Sequence, residues 1–162
     1  MRGLPRRPPA APAKLVLASV LAACALLAGA PATADAQPAG PKAEVTVLLG
    51  TPCAVKKVDP EVGEPPPINY PCWKMSERKL LPLVQGTPGT MVLPNGRTFQ
   101  VAYNGPTPDK PPRFKVSTSI SKPDATGFNP LADFTAEPGK KFHVGGFVHQ
   151  GGSLVLAIRI LP

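Results

Sequence analysis

Apolar and polar positions alternate with period two along most of the chain after residue 42, the pattern of strands with one face buried and one wet. Glu44-Val-Thr-Val-Leu-Leu-Gly50 puts Val45, Val47 and Leu49 on one side. Trp73 to Val84 is less regular, and Pro82 restricts the residue before it, so an edge strand is predicted over 79–84. Thr90 to Tyr103 carries Asn95-Gly96 between two apolar runs, which predicts a hairpin closed by a type I′ turn, with Phe99, Val101 and Tyr103 sharing a face. Arg113 to Ser121 repeats the alternation, Phe114, Val116 and Ile120 inward and Lys115, Ser117 and Ser119 outward. A short strand is predicted over 131–135, and a Pro138-Gly139 turn leads into Lys141–His149. Gln150-Gly-Gly152 then connects to Ser153–Leu161, whose Leu154, Leu156, Ile158 and Ile160 form the deepest apolar row. No ten-residue amphipathic helix interrupts these runs. The fold class is therefore all-β: a single antiparallel β-sandwich, immunoglobulin-like or a small open barrel, of about seven or eight short strands.

Composition agrees. The 162 residues suffice for one domain, and 24 prolines with 15 glycines fall as punctuation between apolar runs, a spacing that excludes long helices. With 43% hydrophobic residues the chain can build a core.

The first segment reads as an address. Arg2, Arg6, Arg7 and Lys14 precede an apolar run, Leu15 to Ala30, stopped by Pro31, and small residues at Ala32, Ala34 and Ala36 offer cleavage sites near Asp35 or Gln37. The run is shorter than the ~20 residues of a spanning helix. Residues 1–36 are thus expected to be a signal peptide, 37–42 a short linker and 43–162 the β-sandwich, giving a periplasmic or secreted protein. Leu21-Ala-Ala-Cys24 also resembles a bacterial lipobox, and lipidation of Cys24 would anchor the protein in the envelope. A membrane partner is expected only in that case.

Charge narrows the partners. Of the +8 carried by the whole chain, much belongs to the leader, because the segment after it holds fourteen basic and nine acidic residues. Its lysines are scattered and lack interleaved aromatics, so nucleic acid is not an expected partner. The expected partner is a protein or an envelope polymer.

Beyond the leader the only cysteines are Cys53 and Cys72, an even pair expected to form one disulfide. Between them Pro65, Pro66 and Pro67 impose polyproline geometry, which predicts an exposed excursion presenting Ile68 and Tyr70, with Trp73 beside it, to a partner. These six residues are the candidate contact set. The same stapled loop, 54–71, is also the feature a secreted hydrolase inhibitor would use.

Signals for chemistry are thin. His143 and His149, six apart on one expected strand, would share a side and could act with Asp133 in a metal- or histidine-dependent enzyme, but two imidazoles without a third fixed ligand do not make a metal site. Ser117, Ser119 and Ser121 read as outward polarity. Asp59, Glu61 and Glu64 lie in the proline loop rather than as a fixed carboxylate pair. No nucleophile elbow or phosphate-binding glycine loop occurs. The expectation is a non-catalytic module without cofactor or metal.

The stretch from Tyr70 to Gln100, with Lys79-Leu-Leu-Pro-Leu-Val and Val92-Leu-Pro-Asn-Gly-Arg, resembles short exported β-domain proteins of bacterial envelopes of uncharacterised function, as do Pro138-Gly-Lys-Lys-Phe-His-Val-Gly-Gly and Gly151-Gly-Ser-Leu-Val-Leu-Ala-Ile-Arg. The resemblance implies an envelope β-domain and brings no catalytic residue with it.

Overall fold

A computed structural model describes residues 40–162. The expected leader, Cys24 and most of the expected linker lie outside the described residues. The linker ends earlier than expected: the Pro41 carbonyl already accepts from the Leu83 amide at 2.9 Å, and the first strand begins at Lys42.

The described residues form nine strands. They are β1 (Lys42–Thr51), β2 (Lys57–Val58), β3 (Cys72–Pro82), β4 (Gly89–Val92), β5 (Thr98–Pro106), β6 (Phe114–Ser121), β7 (Phe128–Ala136), β8 (Lys141–His149) and β9 (Gly152–Leu161). One sheet runs β2-β3-β1-β9-β8 and the other β4-β5-β6-β7. Every pairing is antiparallel except the two-residue β2 against β3. The β-sandwich expected from the alternation is therefore present. Apart from β2, neighbours around the sandwich follow the order of the chain, with β1 and β9 closing the circle. That is an up-and-down meander pressed flat, open at the β3/β4 and β7/β8 corners, and not the Greek key of an immunoglobulin domain.

Inward positions of both sheets fill the main core. Val45, Val47, Phe99, Val101, Leu154 and Ile158 are fully buried, each stabilising the fold by about 1.5–3 kcal/mol relative to exposure. In β9 the burial is continuous rather than alternating, because Val155 and Ala157 on its other face are covered as well. A strand buried on both faces reads as an unbroken apolar run.

Three elements differ from the sequence reading, each for an identifiable reason. The hairpin at Asn95-Gly96 exists, but only Gly96 has positive φ, at 78°. Pro94 fixes the first central position of a type I turn, the Gly96 amide donates to the Leu93 carbonyl at 2.8 Å, and Gly96 takes the left-handed position that restores pairing. By contrast, the Gln150-Gly151 link has positive φ at both residues, 48° and 72°, the type I′ signature. Strand β3 starts at Cys72 rather than at residue 79. Its Lys74, Glu77 and Lys79 oppose Leu49, Val47 and Val45, on the core side, yet stay exposed because β4 has only four residues. Inward charges at an open edge deter edge-to-edge pairing and hide the strand from periodicity. Strand β7 extends from residue 128 to 136, not only 131–135, and tolerates Pro130 because it is an edge strand with a register shift there.

Candidate functional site

The loop between the cysteines is built from its ends inward. Cys53 and Cys72 are bonded, with Cα atoms 6.0 Å apart. Beside the bridge the Lys57 amide donates to the Pro71 carbonyl at 3.1 Å and the Asp59 amide to the Trp73 carbonyl at 2.9 Å, which lays β2 along β3. A single 3-10 turn, Pro60–Val62, follows, with proline at a position where its missing N–H is not needed. After the three prolines the chain turns twice over three residues, the Ile68 amide donating to the Pro66 carbonyl at 2.7 Å and the Tyr70 amide to the Ile68 carbonyl at 2.8 Å.

This segment is not the free excursion expected from its prolines. It folds back on the outer face of the five-stranded sheet, where Val62, Trp73, Leu48, Val155 and Ala157 form a second core with Val58, Tyr70 and Met75 against it. The Tyr70 and Trp73 rings meet edge to face with centroids 6.0 Å apart. Gly50 makes room: a Cβ there would lie 2.8 Å from the Tyr70 ring and 2.9 Å from the indole. The apolar residues inside the loop, Val58, Val62 and Tyr70, were the signal that it has an underside to bury.

The six candidate contact residues therefore divide. Trp73 is 3% exposed and Pro66 is buried, while Pro65 and Tyr70 are half-buried, so these four hold the loop down. Pro67 and Ile68 face solvent, joined by Val55, which is 78% exposed and which the sequence reading did not single out. A shallow cleft of about 120 Å³ beside the bridge, between Thr51, Lys57, Asp59 and Lys74, is well under the ~300 Å³ at which small-molecule pockets begin.

The two histidines do not come together. Spacing of six would keep both on one side of an unbroken strand, but the register of β8 against β9 shifts between Gly145 and Phe147, and Gly146 has φ of 100°. This bulge reverses the parity: Phe142 and Phe147 both pack on the main core although five apart. His143 consequently lies on the outer face and His149 on the core side. His143 is half-buried and its Nε2 has neither solvent nor a hydrogen-bond partner among the described residues. Burial holds its pKa below the usual imidazole value, the Lys141 charge pushes the same way, and Glu64 on the loop opposes them. Asp133 belongs to the other sheet, opposite Ser117. The serines of β6 bond across strands: Asn104 Nδ2 donates to Ser117 Oγ at 2.7 Å, Ser119 Oγ to Gln100 at 3.2 Å, and the Thr98 amide to Ser121 Oγ at 2.9 Å. Among the described residues no three His, Cys, Asp or Glu side chains are grouped to hold a metal ion, and no helix is long and apolar enough to cross a membrane.

Comparison of the chain with protein-family models, with curated proteins and with solved structures finds no match. The fold and the loop therefore define the class, a disulfide-bonded all-β sandwich, and the functional reading rests on the chain itself.

Proposed function

We propose that the protein is an exported, non-catalytic β-sandwich module that binds an envelope protein or polymer through its surface, with the disulfide-tied loop as the contact. The observation carrying this reading is the division of the loop. One set of residues, Val62, Pro66, Tyr70 and Trp73, fastens it to the sheet, while Pro67, Ile68 and Val55 remain in solvent on that fixed base. A contact surface ordered in advance loses little entropy on binding. Export is supported by the leader-like first segment and by a disulfide, a bond that persists in oxidising compartments.

Removing 61–69 would strip Val62 from the second core and take the buried Pro66 with it, so the test uses substitutions facing solvent. Envelope extract is passed over immobilised protein and over its Val55→Asp/Ile68→Asp variant. Loss of the captured species from the variant, with its thermal unfolding unchanged, is the expected result. Equal capture by both rejects the loop as the contact.

A further inference from the structure

The lysines that look scattered in the sequence are sorted by the fold. The meander gathers the loops into two ends. At one lie the disulfide-tied loop and the β4–β5, β6–β7 and β8–β9 links, where Lys56, Lys57, Arg97 and Lys122 are balanced by Asp59, Glu61, Glu64 and Asp124. At the other lie the β3–β4, β5–β6 and β7–β8 links and the entry into β1. This placement follows from the pairing of Lys42 with Pro82 and Leu161, of Phe114 with Ala136 and Pro106, and of the Gly139 amide with the Ile160 carbonyl at 2.8 Å.

Lys42, Lys110, Arg113, Lys140 and Lys141 stand exposed at that second end against Asp109 and Glu137. Glu137 is already paired with Lys140 and is held below the usual carboxylate range by it, with Arg113 adding in the same direction. An open hollow of about 460 Å³ between Lys110, Arg113, Glu137 and Pro138 faces outward there. The tips are rigid and irregular, with Pro88, Pro108, Pro111, Pro112 and Pro138 all exposed, so they approach a broad surface rather than add a strand to a partner sheet. Residues 1–39, including the apolar run Leu15 to Ala30, join the domain at this same end through Lys42.

We infer that this end of the sandwich is a docking face for an anionic phospholipid bilayer. The charge is complementary to lipid phosphates, and the chain enters the domain at that end, the side on which an anchor at Cys24 would be attached. Basic side chains held at such a surface act additively and are screened within a Debye length, ~8 Å at physiological salt. The opposite end, with the disulfide-tied loop, then points away from the membrane. The inference rests on the envelope reading above but uses different residues.

The test is sedimentation of the full-length chain with vesicles of phosphatidylcholine alone and with about a third phosphatidylglycerol. The first mixture reports what residues 1–39 contribute without charge, and Arg2→Gln/Arg6→Gln/Arg7→Gln/Lys14→Gln, carried as the background of every protein compared, removes the leader's own attraction to the anionic one. Otherwise wild-type protein is expected to bind the anionic vesicles at least ~10-fold more tightly, the excess vanishing near ~1 M salt, where the Debye length is ~3 Å. Lys110→Glu/Arg113→Glu/Lys141→Glu is expected to abolish the excess, whereas Lys56→Glu/Lys57→Glu/Lys122→Glu, the same charge change at the other end, leaves it within ~2-fold. Circular dichroism and melting establish that both variants fold. Equal loss in the two variants, no preference for anionic vesicles, or binding to heparin without binding to vesicles would each overturn the inference. The Val55→Asp/Ile68→Asp variant must still bind vesicles, which keeps failure of the loop reading separate from failure of this one.

Discussion

Replacing Trp73 by alanine tests whether the loop is a folded cover or a loose connection. The indole is 3% exposed and contacts a core made of Leu48, Val62, Val155 and Ala157, with Tyr70 standing edge-on against it. Truncating a buried tryptophan or phenylalanine costs about 3–5 kcal/mol, the lost transfer energy plus the cavity left behind. Because the loop can sag inward over the gap, the low end of that range, about 3 kcal/mol, is expected. Small domains have about 5–15 kcal/mol of stability, so the variant still folds. Trp73 is the protein's one tryptophan, so its fluorescence is available only in the wild type and unfolding of the variant by urea must be followed by far-ultraviolet circular dichroism. Trypsin supplies a local readout at Lys56 and Lys57, which resist cleavage while the loop is down and are cut faster in the variant. A side chain merely resting on the surface of a loose loop would cost under about 1 kcal/mol. A value that small, with unchanged trypsin kinetics, would refute the second core.

Three further outcomes are expected. Cys53→Ser/Cys72→Ser, which opens a loop with sequence separation 19, should lower stability by about 3 kcal/mol on the chain-entropy model, measured by denaturant titration against the oxidised protein. Gly152→Ala should destabilise by about 2 kcal/mol or more although Gly152 lacks positive φ, since the added Cβ would meet the Gly50 carbonyl and neither backbone can yield; an ordinary Gly→Ala melting temperature would contradict this. His143, whose pKa is depressed by burial, binds protons less readily folded than unfolded. Its contribution is therefore complete above the unfolded value, about 6.5, and is lost as pH falls through the lower folded value, so His143→Gln should flatten the stability profile between about pH 7.5 and 5.

Much of the sandwich was legible because its strands obey a simple parity. Val45, Val47, Phe99, Val101, Val116 and Ile120 face the core as their alternation requires, and the cysteine pair is bonded. Where the reading failed, the deciding contact comes from distant chain for β3 and the proline loop, and from a local backbone irregularity for the Pro94 turn and the two histidines. Strand β3 escaped notice because the short β4 leaves charged residues tolerable on its core side. The histidines parted because a bulge at Gly145-Gly146, itself visible as a glycine pair, changes which face later residues take. The proline loop resembled a solvent excursion because its prolines outweighed the signal of Val58, Val62 and Tyr70, and the surface these cover, Val155 and Ala157 of β9, lies far along the chain. The basic end is not a sequence feature at all, since its members lie as far apart as Lys42 and Lys141 and meet only when the meander closes.

That closure has a kinetic consequence. Strand β1 lies between β3 and β9, so the first strand made finds its second neighbour only when the last one has been made. Until then the apolar residues of β1 are paired along one edge, and the loop-closure entropy of joining β1 to β9 is still unmet. The described domain is therefore incomplete until β9 has been made. Until that point the side of β1 that β9 covers remains an open sheet edge.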